Sequence, residues 1–407
     1  MRHFTEYPPL TLYIHFPWCV KKCPYCDFNS HAVKNEIPEA QYIDSLINDL
    51  EQHAPDIWSR SVESVFIGGG TPSLISSAGI DRIMSQVRAL TKLEPRAEIT
   101  MEANPGTVEQ QRFSEYRNNG INRLSIGIQS FNDKHLSKLG RIHDAAEAVT
   151  ACETAMAAGF SNYNIDLMHG LPDQSVDEAI ADVAQAIDLS PTHLSYYQLT
   201  LEPNTLFAAK PPRLPEEDTL ADIQDQGKSL IASAGFEQYE ISAYASNAKR
   251  CRHNLNYWLF GDYLGIGAGA HSKLSFPAHN TIVRHSKARH PTDYMKTAST
   301  PERIRGESQL SEVDARLEFM MNALRLNDGF SVQEFEGRTG EPISTVRSLL
   351  DRAESDGLIE RDLQQIKTSA LGARHLDTLL QRFMPEEQNG ETKSALTDTV
   401  IPIVGLP

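Results

Sequence analysis

Tyr13 to Phe28 reads Tyr-Ile-His-Phe-Pro-Trp-Cys-Val-Lys-Lys-Cys-Pro-Tyr-Cys-Asp-Phe. Its β-branched and aromatic start, Leu12 to Phe16, predicts a short strand that empties into a loop. The loop holds three of the chain's five cysteines, Cys19, Cys23 and Cys26, separated by three and then two residues. That spacing lets three sulfurs turn toward one point, which suits a metal site. A closed structural zinc site takes four ligands, usually with a second pair far along the chain, and no such pair follows. An iron–sulfur cube held by three thiolates keeps one iron open to something other than protein, whereas an electron-transfer cluster uses four. The alternatives are a zinc site completed by His15 or His31, or plain buried cysteines.

Composition narrows the class. A chain of 407 residues, 40% hydrophobic, can bury a barrel-sized core and a smaller second one. Its net charge of −16 argues against wrapping nucleic acid, which needs a basic face. An odd, sparse set of cysteines and no apolar leader, with Pro8 and Pro9 where one would run, predict a reducing, cytoplasmic setting. No apolar run is long enough to span a bilayer, so an integral membrane protein is not expected.

Downstream, apolar strand-like runs alternate with segments of helical period. Strands are predicted at Ser64–Ile67, Ala97–Met101, Arg123–Ile128, Tyr163–Met168 and His193–Leu199. Helices are predicted at Pro38–His53, Ser77–Leu90, Val108–Asn118, Asp144–Ala158 and Val176–Leu189. With the first strand this makes six β/α units, hence parallel pairing through right-handed crossovers in a partial (β/α)6 barrel. Gln238–Ala243 is expected to add a strand at the open edge. Special residues follow each strand: Cys19, Gly69, Glu102, Gln129, Asp166 and Gln198, on the rim where barrels do chemistry.

The three-cysteine loop resembles the radical S-adenosylmethionine (SAM) superfamily, in which the open iron chelates SAM. The glycine run Gly68-Gly69-Gly70 with Thr71 and Pro72 lacks P-loop and dinucleotide spacing; by resemblance it lies beside the methionine amino group. The same resemblance implies that Glu102 and Asp166 face the ribose and nearby groups, that Gln129 and Arg141 complete the shell, and that Tyr13 and Tyr25 flank cluster and adenine. For any one of them a helix cap or a surface ion pair is the plain alternative.

Ile-Asp-Leu-Met-His-Gly-Leu-Pro at 165–172 and His-Leu-Ser-Tyr-Tyr-Gln at 193–198 resemble the coproporphyrinogen oxidase-like branch of that superfamily. Within it, Tyr13–Cys19 and His253-Asn254-Leu255-Asn256-Tyr257-Trp258 resemble HemW-type haem chaperones. The resemblance implies a haem-binding element in which His253, Asn254, Tyr257 and Trp258 contact haem, with His253 the candidate axial ligand. Cys251 is a second candidate, and a hydrogen-bonded core histidine is the reading from chemistry alone. Phe28 stands where the branch's oxidases carry a fourth cysteine, and only Met1 to Trp18 precede Cys19. Both departures disfavour the oxidative decarboxylase of coproporphyrinogen III; a related methyltransferase is a further alternative. The glycine-rich Tyr263–Ser272 is expected near the adenine or as a loop that closes the barrel.

The expected function is thus a haem chaperone holding a [4Fe–4S] cluster, SAM and haem, passing haem to acceptor haem proteins. By analogy those acceptors are membrane-associated respiratory proteins, and a dimer is possible. The expected organisation is a barrel over residues 1–240, a barrel-closing and haem-motif segment over 241–310, a winged-helix-like module over 311–384 and a disordered tail over 385–407. The module's mixed charges, Arg347 and Arg352 among Asp351, Glu354 and Asp356, give no basic stripe for DNA.

Overall fold

The computed structural model describes residues 2–34 and 36–384; the tail expected at 385–407 lies outside the described residues. Six strands, β1 (Leu10–Phe16), β2 (Ser61–Gly69), β3 (Lys92–Ala103), β4 (Arg123–Gln129), β5 (Tyr163–His169) and β6 (His193–Gln198), run parallel in that spatial order. Between them lie α1 (Glu39–Ile57), α2 (Ser77–Leu90), α3 (Thr107–Asn118), α4 (Ala145–Ala157) and α5 (Val176–Asp188), as the alternation predicts. Serine or aspartate caps open α2, α4 and α5, each accepting from a backbone N–H of the first turn. The strands' outward residues, such as Leu12, Ile14, Val65 and Ile67, join one core with the helices' apolar faces.

The sheet does not close. Beyond β6, α6 (Glu217–Ser233) leads into two antiparallel strands, β7 (Glu237–Glu240) and β8 (Ala243–Ala245), where a single strand over 238–243 is expected. Ile241 and Ser242 make the turn between them. The short helix α7 (Arg252–Trp258) follows. The next segment does not close the barrel but widens the sheet at the opposite edge. There β9 (Asp262–Ile266) lies parallel to β1, and β10 (His271–Phe276), β11 (Thr281–Lys287) and β12 (Ile304–Gln309) continue antiparallel. The glycine-rich 263–272 stretch is the β9–β10 junction, tied to α1 through Tyr42, whose hydroxyl accepts from Ala268 N at 2.9 Å.

The C-terminal module matches the winged-helix order: α8 (Glu312–Ala323), α9 (Val332–Thr339), α10 (Arg347–Ser355) and a wing of two antiparallel strands, Ile359–Arg361 and Gln365–Thr368. It packs its own core around Phe319, Phe330 and Phe335, which Phe260 and Ile282 of the barrel side join.

Candidate functional site

The rim opens on a cavity of about 750 Å³, within the size range of ligand pockets. At one end Cys19, Cys23 and Cys26 line it as free, partly exposed thiols. The glycine run lies directly on their loop: a Cβ at Gly70 would stand 2.4 Å from the Trp18 carbonyl oxygen and 3.0 Å from Cys19 Sγ. Gly69 adopts φ +121°, where only glycine is comfortable. Gly70 N and Thr71 N donate to the Phe16 and Trp18 carbonyls, both at 2.7 Å. These amides are spent on the loop, so the run offers an incoming ammonium its acceptors, not its donors.

The three thiols fit a cluster better than a zinc ion. Among the described residues no group of three His, Cys, Asp or Glu side chains converges to hold a single ion. Of the two candidate fourth ligands, His15 and His31, His15 is occupied at both nitrogens by Tyr13 Oη at 3.0 Å and the Asn29 carbonyl at 2.9 Å. Burial holds its pKa down at about 4. Beside the loop, Arg141 is buried, donating to Asn104 Oδ1 at 2.8 Å and the Gly127 carbonyl at 2.6 Å, with Cys23 Sγ at 3.8 Å.

Two carboxyls, half-buried Glu102 and buried Asp166, face the same space. Glu102 Oε2 accepts from Gly69 N at 2.9 Å, and burial, aided by nearby Asp166, raises its pKa to about 8. Burial likewise raises Asp166 to about 6. Gln129 ends β4 in the left-handed region at φ +71°, and its Oε1 accepts from Tyr197 Oη at 2.7 Å. Such a strained non-glycine residue persists where its surroundings fix it, often at a binding site. Carboxylates, an amide and carbonyls around one space suit a ligand that carries an ammonium and a diol. Gly69, Gly70, Thr71, Glu102, Gln129, Arg141, Asp166 and Tyr25 all line the cavity.

Tyr13 does not. It points into the barrel interior below, against Phe66 and Ala270, because inward positions along β1 alternate and its place is deeper than the rim. Nor does the structure bring the His253–Trp258 element to the cavity. Helix α7 plugs the barrel at its other end. Glu98 Oε1 there accepts from Arg252 N at 2.9 Å and His253 N at 3.3 Å. His253 is buried, with Nδ1 at 3.1 Å from Ser64 Oγ and its ring against Phe66. Burial lowers its pKa to about 3, so the imidazole is neutral. Asn254 and Trp258 are buried too, and the Tyr257 ring meets that of Tyr263.

Sequence reasoning missed Asn104, Ser125 and Tyr197, which line the cavity, although Asn104 follows the Glu102 strand in a motif that invites inspection. It also missed Arg325 and Asp377, which the C-terminal module lends to the far wall. No local signal marks them.

Comparison with known proteins shows the family. A family model for the radical SAM superfamily matches residues 13–183, and one for the HemN C-terminal domain matches 310–375. The chain is 49% identical over 384 residues to the heme chaperone HemW of Haemophilus influenzae, spanning 93% of this chain and 99% of that one. The chain belongs to the HemW family. Escherichia coli HemW is 48% identical over 379 residues, with the same coverage. Mouse mitochondrial radical S-adenosyl methionine domain-containing protein 1 is 32% identical over 93% of this HemW-family chain and 88% of its own. Among solved structures, coproporphyrinogen III oxidase (HemN) from Escherichia coli superposes with a TM-score of 0.78 at 24% identity, covering 93% of this chain and 90% of that one. That similarity establishes the shared fold.

Proposed function

We propose that this chain is a haem chaperone built on a radical SAM barrel, which receives haem and passes it to acceptor haem proteins. The observation that carries the reading is identity of 48–49% along nearly the whole chain with proteins described as heme chaperones. The likeness to the oxidase rests on fold and carries no activity with it.

In this reading Cys19, Cys23 and Cys26 hold a [4Fe–4S] cluster, and SAM binds above it. The Gly69 to Thr71 backbone receives its ammonium, and Glu102 and Asp166 receive its hydroxyls. Gln129, Arg141 and Tyr25 fix its orientation. Bound there, the cluster supplies an open iron and one electron. Arg141 sets its guanidinium beside the Cys23 sulfur, and the two carboxyls line the space around the sulfonium. Haem occupies the remainder of the same cavity, where Met168, Tyr196, Tyr197 and Leu199 offer apolar faces. The His253–Trp258 element supports that cavity from beneath, and a ligand role for His253 would require α7 to leave the barrel. Among the described residues no helix is long and apolar enough to cross a membrane. We place the protein in the cytoplasm, where the thiols stay reduced, handing haem to respiratory, membrane-associated acceptors; dimerisation would serve that transfer.

Anaerobic purification followed by haem titration tests the reading. A saturable Soret band at one haem per chain, with haem transfer to an apo-cytochrome, is the expected result. Conversion of coproporphyrinogen III to protoporphyrinogen IX with SAM, and no haem retained, would replace the reading with the oxidase.

A further inference from the structure

A tetrapyrrole with propionate arms needs a cation in its pocket, and this cavity has three to offer: Lys21, Arg141 and Arg325. Lys21 is exposed on the cysteine loop, where water screens it. Arg141 is committed to Asn104 and Gly127 beside Cys23. Arg325 differs from both.

It stands in the turn after α8, on the wall shared with Ile241 and Ser242, across the β1-to-β6 arc from the cysteines. The guanidinium lies 4.3 Å from the centroid of the Trp258 ring. At one side Glu240 Oε2 accepts from Nη2 at 3.4 Å, a long contact. Glu240 is itself anchored, its Oε1 accepting from Ser242 N at 3.0 Å and Ser242 Oγ at 2.8 Å. The Arg325 side chain is 23% exposed and, among the described residues, makes that one hydrogen bond to Glu240, where Arg141 is spent on Asn104, Gly127 and Cys23.

A mere tether between barrel and module would look otherwise. The tether is already made by the neighbouring Asn327, whose N donates to the Tyr239 carbonyl at 3.0 Å and whose Nδ2 donates to Gln238 O at 2.8 Å. Arg325 adds one long bond to that and keeps a face of its planar fork for a carboxylate, which such a fork meets in bidentate fashion. Its stacking on Trp258 gives that residue of the buried element a task at the cavity without touching the ligand.

We propose that Arg325, propped on Trp258 and aligned by Glu240, is the carboxylate-binding residue of the cavity, and that it takes a propionate of the bound tetrapyrrole. This rests on the haem-chaperone reading. The test compares haem with haem dimethyl ester, whose propionates are masked, by Soret titration of the full chain. The wild type is expected to prefer the free acid by about tenfold or more, the size of one charge-assisted pair. In Arg325→Gln the preference falls toward one while ester affinity stays; Arg325→Lys restores part of it, and Trp258→Phe, which keeps an aromatic face, keeps most of it. SAM affinity, read separately by equilibrium dialysis, does not move in Arg325→Gln. An unchanged acid-to-ester ratio in Arg325→Gln overturns the proposal and leaves the haem reading standing. Failure of the wild type to bind either compound removes the haem reading itself.

Discussion

The two ends of the barrel are built from the same strands but to opposite purposes. At the rim, glycines let backbone press against the cysteine loop, two carboxyls are held above their ordinary pKa by burial, and Gln129 holds a strained backbone. At the floor, Glu98 accepts from Arg252 N and His253 N at the start of α7, and His253 is a neutral ring, hydrogen-bonded to Ser64, in packed surroundings. Polar groups that line an open cavity mark a place for a ligand, and a helix packed across the strands marks support.

The widest separation of the two ends is expected from Cys23→Ala, which should abolish cluster reconstitution, read as iron content and brown absorbance, while far-ultraviolet circular dichroism stays intact. Cys152→Ala, in the buried face of α4, should leave iron unchanged; equal iron in both variants would refute the ligand assignment. Gly70→Ala comes next. With a Cβ 2.4 Å from the Trp18 carbonyl, the loop must shift, and iron loading should fall several-fold at nearly unchanged stability.

At the floor the effect should reverse. His253→Ala leaves a hole between Phe66 and Tyr13 and strands Ser64, so urea unfolding should show a loss of about 2–4 kcal/mol with iron loading retained. Loss of haem or iron at wild-type stability would instead make the floor a ligand site. Glu102→Gln gives an effect that only pH reveals. The carboxyl's pKa rises from 4.5 unfolded to about 8 folded, so the folded state binds the extra proton between those values and stability falls as pH rises through that window. The amide removes that penalty. The variant's ligand-free melting temperature should exceed the wild type's above pH 8, and the gain should vanish below pH 4.5.

Much of this was legible in the sequence. The β/α order shows because buried parallel strands are continuous apolar runs, and rim residues follow them directly. Depth along a strand was not legible: Tyr13 and His15 share a face, and only the shear of the sheet sets which one reaches the rim. The β9–β12 extension escaped because strands such as Thr281–Lys287 carry buried polar groups. Lys287, for instance, reaches Asp49 and His53, far away in the chain. Burial of that ammonium is affordable through partners that no local pattern reveals. Likewise the His253 motif displays a haem-like set of residue types, but types say nothing of which end of a barrel they occupy.

The seam between barrel and C-terminal module is held differently at its two sides. Phe260 stacks edge-on with Phe319, ring centroids 6.0 Å apart, in a dry contact, while the cavity side is fastened by the polar contacts of Asn327 and Arg325. With aromatic packing and the Arg284–Glu318 ion pair on one side and exchangeable hydrogen bonds on the other, the joint has the makings of a pivot and a latch. Exchanging a few hydrogen bonds with water, at about 1 kcal/mol each, would swing the door for a broad, flat cargo without unpairing a single strand.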